Sequence, residues 1–377
     1  MVRLLALVAL LHAQAPAPSF SGTVLRDFDA WDRDRDGALS EDEVTRAVLD
    51  PAVHGEDAAA LAALHTYLSV AKDAPRLTRA WFAAYQPARL RVPAEATAAE
   101  RKTMRKAFAA TPASLQGTFA ADLKRLRRKG EAGLYAETGP SLEDIRQGSL
   151  GDCYFLAPMG AIVHRDPEAV RRMIRPDGDG YDVAFGDGKT VRVAGPTDAE
   201  IAMGGSSTAN GLWVRVMEKA YGSRTFADGE TGARIARDGM SGGNSGVVAK
   251  GFTGHEFTRV NLVGDWHKPA SDADLAPTLA QVRRELPQAL AEHRLVLTGT
   301  RKIEQPKSIT PNHAYAVFGY DPVTDRITIW NPHGDDFAPK GPEGFEYGFA
   351  RSKGVFSMPL PMFARTFARI TFEQAPR

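Results

Sequence analysis

The segment Gln147-Gly148-Ser149-Leu150-Gly151-Asp152-Cys153-Tyr154-Phe155-Leu156-Ala157 carries the most information in this chain of 377 residues. Gly148 and Gly151 precede the cysteine and allow a sharp backbone turn. The apolar run from Tyr154 to Val163 then predicts a buried helix. This geometry puts Cys153 in the first helical turn, where backbone amides and the helix dipole favour a thiolate. Gln147 has a side-chain amide that can stand beside the Cys153 amide as an oxyanion donor. The segment indicates either a reactive cysteine or a buried, inert thiol.

A reactive cysteine needs a base, and His313 is the strongest candidate among nine histidines. It begins a β-rich run that is followed by a turn and by a second run at 326–331, which together predict a hairpin. A three-residue loop puts position 331 opposite position 313, whereas a five-residue loop puts position 333 there. Because directly opposed residues share a face, either Asn331 or His333 can orient the imidazole. The residues alone leave both registers open.

Several blocks in the same order resemble the calpain-type cysteine proteases, over roughly residues 138–372. Besides the cysteine segment, the blocks are Leu212-Trp213-Val214, Glu218-Lys219-Ala220-Tyr221, Gly251-Phe252-Thr253-Gly254, Asn312-His313-Ala314-Tyr315, Trp330-Asn331-Pro332 and Gly354-Val355-Phe356-Ser357-Met358 with Phe363. The resemblance implies an α+β, papain-like core of two subdomains, a helical one carrying Cys and a sheet-rich one carrying His and Asn. It also implies Cys153 as nucleophile, His313 as general base, Asn331 as its orienter and Gln147 as oxyanion donor.

Three positions depart from the family pattern. Tyr154 stands where tryptophan is usual, Asn312 where glycine precedes the histidine, and His333 where tryptophan follows Asn-Pro. Asn312 and His333 border the cleft, so they bear on substrate preference more than on chemistry. The implied function is an endopeptidase that acts on proteins or peptides. The alternative is a catalytically inactive, calcium-stabilised binding protein on a protease scaffold.

Residues 32–43 form a second motif, Asp-Arg-Asp-Arg-Asp-Gly-Ala-Leu-Ser-Glu-Asp-Glu, which matches D-x-[DN]-x-[DN]-G-x5-E at every specified position. This is the pattern of an EF-hand loop that binds Ca²⁺ through oxygen ligands. The expected ligands are the side chains or carbonyls of Asp32, Asp34, Asp36, Ala38, Ser40 and Glu43. A partner unit at 61–85 aligns when Leu77 matches Leu39, but Val70, Lys72 and Ala74 then fill its first ligand places, so it is expected to be structural only.

Composition and charge set the remaining expectations. With 47 Lys+Arg against 46 Asp+Glu, nucleic acid is not an expected partner. One cysteine excludes an intrachain disulfide, and no run reaches transmembrane length, so stable membrane insertion is not expected. Residues 101–129 carry nine Lys/Arg against one acid, which indicates a solvated connector and a possible self-cleavage site.

The expected organisation is a papain-like core preceded by an all-α EF-hand domain. An N-terminal Arg3, an apolar run and Ala13-Gln14-Ala15 resemble a secretory signal peptide, so export to the periplasm or the exterior is expected. The expected segments are a signal peptide at 1–17, an EF-hand pair at 18–86, a basic helical linker at 87–137, a Cys subdomain at 138–250 and a His/Asn subdomain at 251–377.

Overall fold

The computed structural model describes most of the chain after its N-terminus. The described residues are 18–71, 73–93, 98–127, 133–147, 151–204, 211–225, 243–262, 271–302 and 306–375. The expected signal peptide at 1–17 lies outside them, as does Lys72 of the second loop. No helix among the described residues is long and apolar enough to cross a membrane.

Two helix–loop–helix units open the described chain. Their elements are α1 (Phe20–Trp31), β1 (Ala38–Leu39), α2 (Glu41–Val48), α3 (Gly55–Val70), β2 (Leu77–Thr78) and α4 (Arg79–Ala83). The two short strands pair antiparallel with Leu39 opposite Leu77, the match that the loop alignment predicts. Apolar side chains at helical spacing, among them Phe20, Val24 and Phe28, are buried between the units. We refer to residues 18–86 as the N-terminal helical unit.

The Cys half of the chain is mainly helical. After a 3-10 turn at Leu142–Asp144 it contains α7 (Cys153–Arg165), α8 (Pro167–Met173), a three-stranded sheet of β3 (Ile174–Asp177), β4 (Gly180–Ala184) and β5 (Thr190–Ala194), then α9 (Asp198–Met203), α10 (Trp213–Thr225) and α11 (Ser245–Thr253). Helix α7 is apolar along its length and nearly all of it is buried, as the sequence predicts. The expected boundary at 250/251 falls inside α11, whose buried Val248, Ala249 and Phe252 pack in the same core as α7.

The His half is a seven-stranded antiparallel sheet in the order β10-β11-β9-β8-β7-β12-β6. Its strands are β6 (Phe257–Asn261), β7 (Val296–Thr300), β8 (Ala314–Asp321), β9 (Arg326–Trp330), β10 (Arg351–Ser352), β11 (Val355–Pro359) and β12 (Phe367–Glu373), with helices α12 (Asp272–Ala291) and α13 (Leu360–Thr366). Alternate residues serve two cores, because Ala314 and Ala316 face α7 whereas Tyr315 and Val317 face α12 and α13.

One glycine lets α7 lie close against this sheet. A side chain at Gly160 would overlap the six-membered ring of Trp330, which is fully buried at the end of β9. The close approach positions the start of α7 and the end of β9 relative to each other, and these are the two places where Cys153 and Asn331 lie.

The expected basic linker is only partly a connector. It contains α5 (Ala98–Ala109) and α6 (Leu115–Arg127), and α6 buries Leu115, Phe119 and Leu123 in the core of the N-terminal helical unit. The charged residues that suggested a solvated segment therefore cover only one face of α6. Helix α9 from the Cys half contributes Ile201 to the same core, so the N-terminal helical unit and the Cys half are packed together.

Candidate active site

Cys153 is the first residue of α7 and is partly buried. Its sulfur accepts a hydrogen bond from the backbone N–H of Ala314, the residue that follows His313. Burial raises the pKa of the Cys153 thiol and outweighs this bond and the helix-terminal amides, which act in the opposite direction. The helix N-terminus alone therefore does not make the thiolate, and ionisation needs a proton acceptor beside the sulfur.

His313 lies immediately before β8 and is buried. Its Nε2 atom is 2.9 Å from Oδ1 of Asn331, and its ring meets the Tyr315 ring edge-on with centroids 4.8 Å apart. Asn312 precedes it with φ of 50°, in the left-handed region that glycine and asparagine tolerate best. Asparagine at position 312 is thus compatible with the left-handed backbone conformation found there.

The hairpin has a register that neither loop length considered from the sequence describes. Asp321 pairs with Arg326 across a four-residue turn, and a bulge at Phe318 then shifts the pairing so that Ala316 is opposite Trp330. If this pairing continued beyond the strands, position 313 would lie opposite position 333. Asn331 nevertheless reaches His313, because both residues lie just beyond the paired strands.

His333 joins the same contact. Its Nδ1 is 3.1 Å from Nε2 of His313 and 3.0 Å from Oδ1 of Asn331, and its backbone N–H donates to that oxygen at 3.0 Å. The backbone donor fixes which end of the Asn331 amide carries the oxygen, because an N–H cannot donate to an NH₂ group. The two side chains that the sequence offers as alternative orienters therefore occur together.

Gln147 is bonded through its backbone to the loop that follows Asn331. Its backbone N–H donates to the carbonyl of Pro332 at 2.9 Å, which ties the segment before Cys153 to the turn after Asn331. Residues 148–150, which complete the connection to Cys153, lie outside the described residues.

A buried charged cluster lies behind the cysteine. Asp152 contacts Glu218, which pairs with Arg215 on the same helix, α10, and all three side chains are buried. Burial, reinforced by Glu218 and opposed by Arg215, raises the pKa of Asp152 well above its ordinary value. These surroundings favour the protonated form of the carboxyl that immediately precedes Cys153 more than water does. Sequence spacing does not reveal this cluster, since nothing in it relates positions 152 and 218.

The three aspartates of the 32–43 loop come together. Carboxylate oxygens of Asp32, Asp34 and Asp36 all lie within 4.8 Å of one another. Gly37 turns the chain with φ of 82°, and its N–H donates to Asp32 at 3.0 Å. Ala38 continues into β1. This part of the loop offers the hard oxygen donors that suit a calcium ion.

Glu43 and Ser40 are engaged differently. Oε2 of Glu43 accepts from the Ser40 N–H at 2.8 Å, which caps α2, and Oε1 accepts from the Arg33 N–H at 2.7 Å. Burial acts to raise the pKa of Glu43, but the bonds from Ser40 and the loop amides outweigh it and lower the pKa. Glu43 therefore carries its charge at the loop while its oxygens serve backbone donors.

A family model described as calpain family cysteine protease matches residues 107–342. The chain belongs to the calpain family of cysteine proteases. A comparison with curated proteins returned no match. The matched range includes Cys153, His313 and Asn331, and the described structure is a mixture of helix and sheet that agrees with a calpain protease core. As a calpain-family protease, the chain acts on proteins, and the match begins in α5 and leaves the N-terminal helical unit outside it.

Proposed function

We propose that this calpain-family protease is an endopeptidase in which Cys153, His313, Asn331 and Gln147 carry out peptide hydrolysis. The observation that supports it most is the 2.9 Å contact between His313 Nε2 and Asn331 Oδ1, made next to the Ala314 amide that bonds the Cys153 sulfur. A neutral amide is a sufficient orienter when the working pair is thiolate and imidazolium.

In the proposed reaction, Nδ1 of His313 takes the proton of Cys153, since Nε2 is directed at Asn331. The thiolate attacks the peptide carbonyl, and the Cys153 amide with the Gln147 side chain stabilises the oxyanion. The His313 imidazolium then gives its proton to the leaving amine, and the C–N bond breaks. Water, deprotonated by His313, hydrolyses the thioester and restores the thiol.

The test is casein hydrolysis by the purified full chain beside its Cys153→Ala variant. Turnover should be lost in Cys153→Ala, and Asn331→Ala should slow it roughly 10²-fold without abolishing it. Labelling of the parent by a peptidyl epoxide would report a nucleophilic thiolate independently. Cleavage by Cys153→Ala at the parent rate would overturn the mechanism, and a folded parent that neither cleaves nor labels would favour the inactive binding protein.

We further propose that the N-terminal helical unit is an EF-hand pair and that its first loop binds Ca²⁺. The clustered carboxylates of Asp32, Asp34 and Asp36 and the pairing of Leu39 with Leu77 support this. For Glu43 to bind the ion with both carboxylate oxygens, these oxygens must give up their hydrogen bonds to loop amides. Ala38 and Ser40 would complete the ligand set. The test is calorimetric titration with Ca²⁺, which should bind at one site in the parent and not in Asp32→Asn or Glu43→Gln.

We propose export because residues 1–17 resemble a secretory signal peptide. Calcium outside the cell is abundant enough to fill a site with a Kd of about 10⁻⁴–10⁻³ M. The loop would then stabilise the protein after export. Expression with and without residues 1–17, followed by cell fractionation and N-terminal sequencing, tests this. Retention of the full-length precursor inside the cell would contradict it.

Self-cleavage is proposed within residues 101–129. Helix α5 is mostly exposed, whereas α6 is held by its buried face, so a cut in α5 needs less local unfolding. N-terminal sequencing of aged active enzyme should find a new terminus there and none in Cys153→Ala.

A further inference from the structure

We propose that His333 is a positioning residue for the peptidase reaction, and that its neutral imidazole accepts a hydrogen bond from the His313 imidazolium. This inference rests on the proposed function of Cys153 and His313. The supporting geometry is a triangle of three atoms, Nε2 of His313, Oδ1 of Asn331 and Nδ1 of His333, with sides of 2.9, 3.0 and 3.1 Å.

The triangle restricts where protons can be. Asn331 Oδ1 only accepts, so each imidazole nitrogen facing it is best satisfied by donating, but two N–H groups that meet at 3.1 Å repel each other. When His313 is an imidazolium, its Nε2 carries a proton of necessity. Nδ1 of His333 must then present its lone pair, which gives His333 the neutral tautomer with its proton on Nε2. In this state one charged donor, His313 Nε2–H, serves two acceptors, Oδ1 of Asn331 and Nδ1 of His333. Its positive charge offsets the repulsion between these two acceptors, which lie 3.0 Å apart.

The arrangement favours the reactive state of the cysteine. The thiolate forms only if His313 holds a proton, and two acceptors on Nε2–H stabilise the imidazolium more than one. This matters here because burial raises the pKa of Cys153, so the proton transfer needs added support on the histidine side. His333 does not touch the reacting atoms in this scheme and acts through His313.

Protonation of His333 has the opposite effect. A second imidazolium 3.1 Å from the first repels it and removes the acceptor, so His333 and His313 titrate as a coupled pair. Other charged groups around this loop are Arg146, whose stem packs on Gly334, and Asp336, which accepts from the Lys353 N–H. Two ion pairs also border it, Asp335 with Arg351 at 2.6 Å and Lys353 with Glu143 at 3.2 Å.

Two variants separate the role of His333 as a hydrogen-bond acceptor from the effect of its protonation. His333→Asn has a side-chain oxygen near the place of Nδ1 but no ionisation, whereas His333→Phe keeps a ring and has neither. We expect kcat for a peptide substrate to fall about tenfold in His333→Phe with KM unchanged, and its alkaline limb to move to lower pH, because the imidazolium loses an acceptor. His333→Asn should keep kcat and extend activity to more acidic pH by about half a unit or more.

The pH profiles of kcat/KM and the rate of thiol alkylation across the same pH range give the measurement. Identical limbs in parent, Asn and Phe variants would overturn the inference, as would a loss in His333→Phe that His333→Asn does not rescue. These outcomes are distinct from failure of the proposed function, which would appear as cleavage that survives in Cys153→Ala or as a parent that does not cleave.

Discussion

The carboxyl of Asp152 is buried directly before Cys153 in the chain. Burial beside Glu218 raises the pKa of this carboxyl, and Asp152→Asn replaces it by an uncharged amide of the same shape. We expect this variant to keep kcat/KM within about threefold of the parent in peptide hydrolysis at neutral pH. A loss of a hundredfold in a folded Asn variant would show instead that an ionised Asp152 takes part. Asp152→Ala is the contrast, since it leaves Glu218 and Arg215 around a cavity and should lower Tm.

At this scale the sequence predicted that His313 meets Asn331 or His333, but not that it meets both. Cys153 at a helix start, His313 before a strand and Asn331 after its partner strand follow from local patterns. Loop length alone does not predict the bulge at Phe318, which the neighbouring Gly319 favours. This bulge brings His333 to His313 beside Asn331. Two side chains that register arguments treat as exclusive alternatives can thus share one partner near a strand end.

At the scale of elements, the approach of α7 to the sheet depends on Gly160. A methyl group there would overlap the Trp330 ring, and a buried ring at a strand end has little room to move. We expect Gly160→Ala to lower the free energy of unfolding by about 1–3 kcal/mol. It should also reduce kcat, because Trp330 is adjacent to Asn331. Chemical denaturation and peptide hydrolysis provide the two measurements.

Gly117→Ala is the matched control for this prediction. Gly117 is exposed on α6, and a side chain there would meet nothing within 4 Å. In a helix this change is neutral or stabilises by up to about 1 kcal/mol. If Gly160→Ala behaved like Gly117→Ala, the close contact between α7 and Trp330 would not be a constraint on the fold.

Helix α6 carries the one acid of the basic segment into a core. Burial raises the pKa of Asp122 to about 7, and Arg125 at 3.2 Å opposes this only in part. Since the pKa of the folded state lies above that of the unfolded state, its contribution is fully present below about pH 4 and is lost as pH rises to about 7. We expect Asp122→Asn to be the more stable protein at pH 8, by on the order of 4 kcal/mol at most.

The measurement is Tm across this pH range for the parent and Asp122→Asn. The parent should lose stability relative to the variant between about pH 4 and 7, and the two curves should run parallel above that range. Asp179→Asn changes a carboxylate with 97% of its side chain exposed and a 3.5 Å contact to Arg192, and it controls for the loss of a surface charge. A constant difference between parent and Asp122→Asn at all pH values would contradict the assignment.

At the scale of the whole molecule, the N-terminal helical unit is not a separate module on a tether. Thr197 at the start of α9 donates to the Val48 carbonyl at 2.6 Å, and the Gly55 N–H donates to Asp198 at 3.2 Å. The core that buries α6 also includes Ile201 of α9. Sequence patterns predicted the helices on both sides but not this contact, because it joins residues about 150 positions apart and each contributes only a few apolar side chains.

This packing makes the proposed calcium loop a determinant of the whole fold. Helix α2 begins at the end of the 32–43 loop and ends at Val48. The carbonyl of Val48 accepts the hydrogen bond from Thr197 of the Cys half. We therefore expect one calorimetric unfolding transition, whose Tm rises by roughly 2 °C when Ca²⁺ is tenfold above its Kd. The experiment uses Cys153→Ala to prevent digestion, and compares calcium with a chelator. Adding Asp32→Asn and Asp34→Asn should abolish the shift. Two transitions of which calcium moves only one would contradict the shared core, whereas one transition that calcium does not move would contradict the calcium site alone.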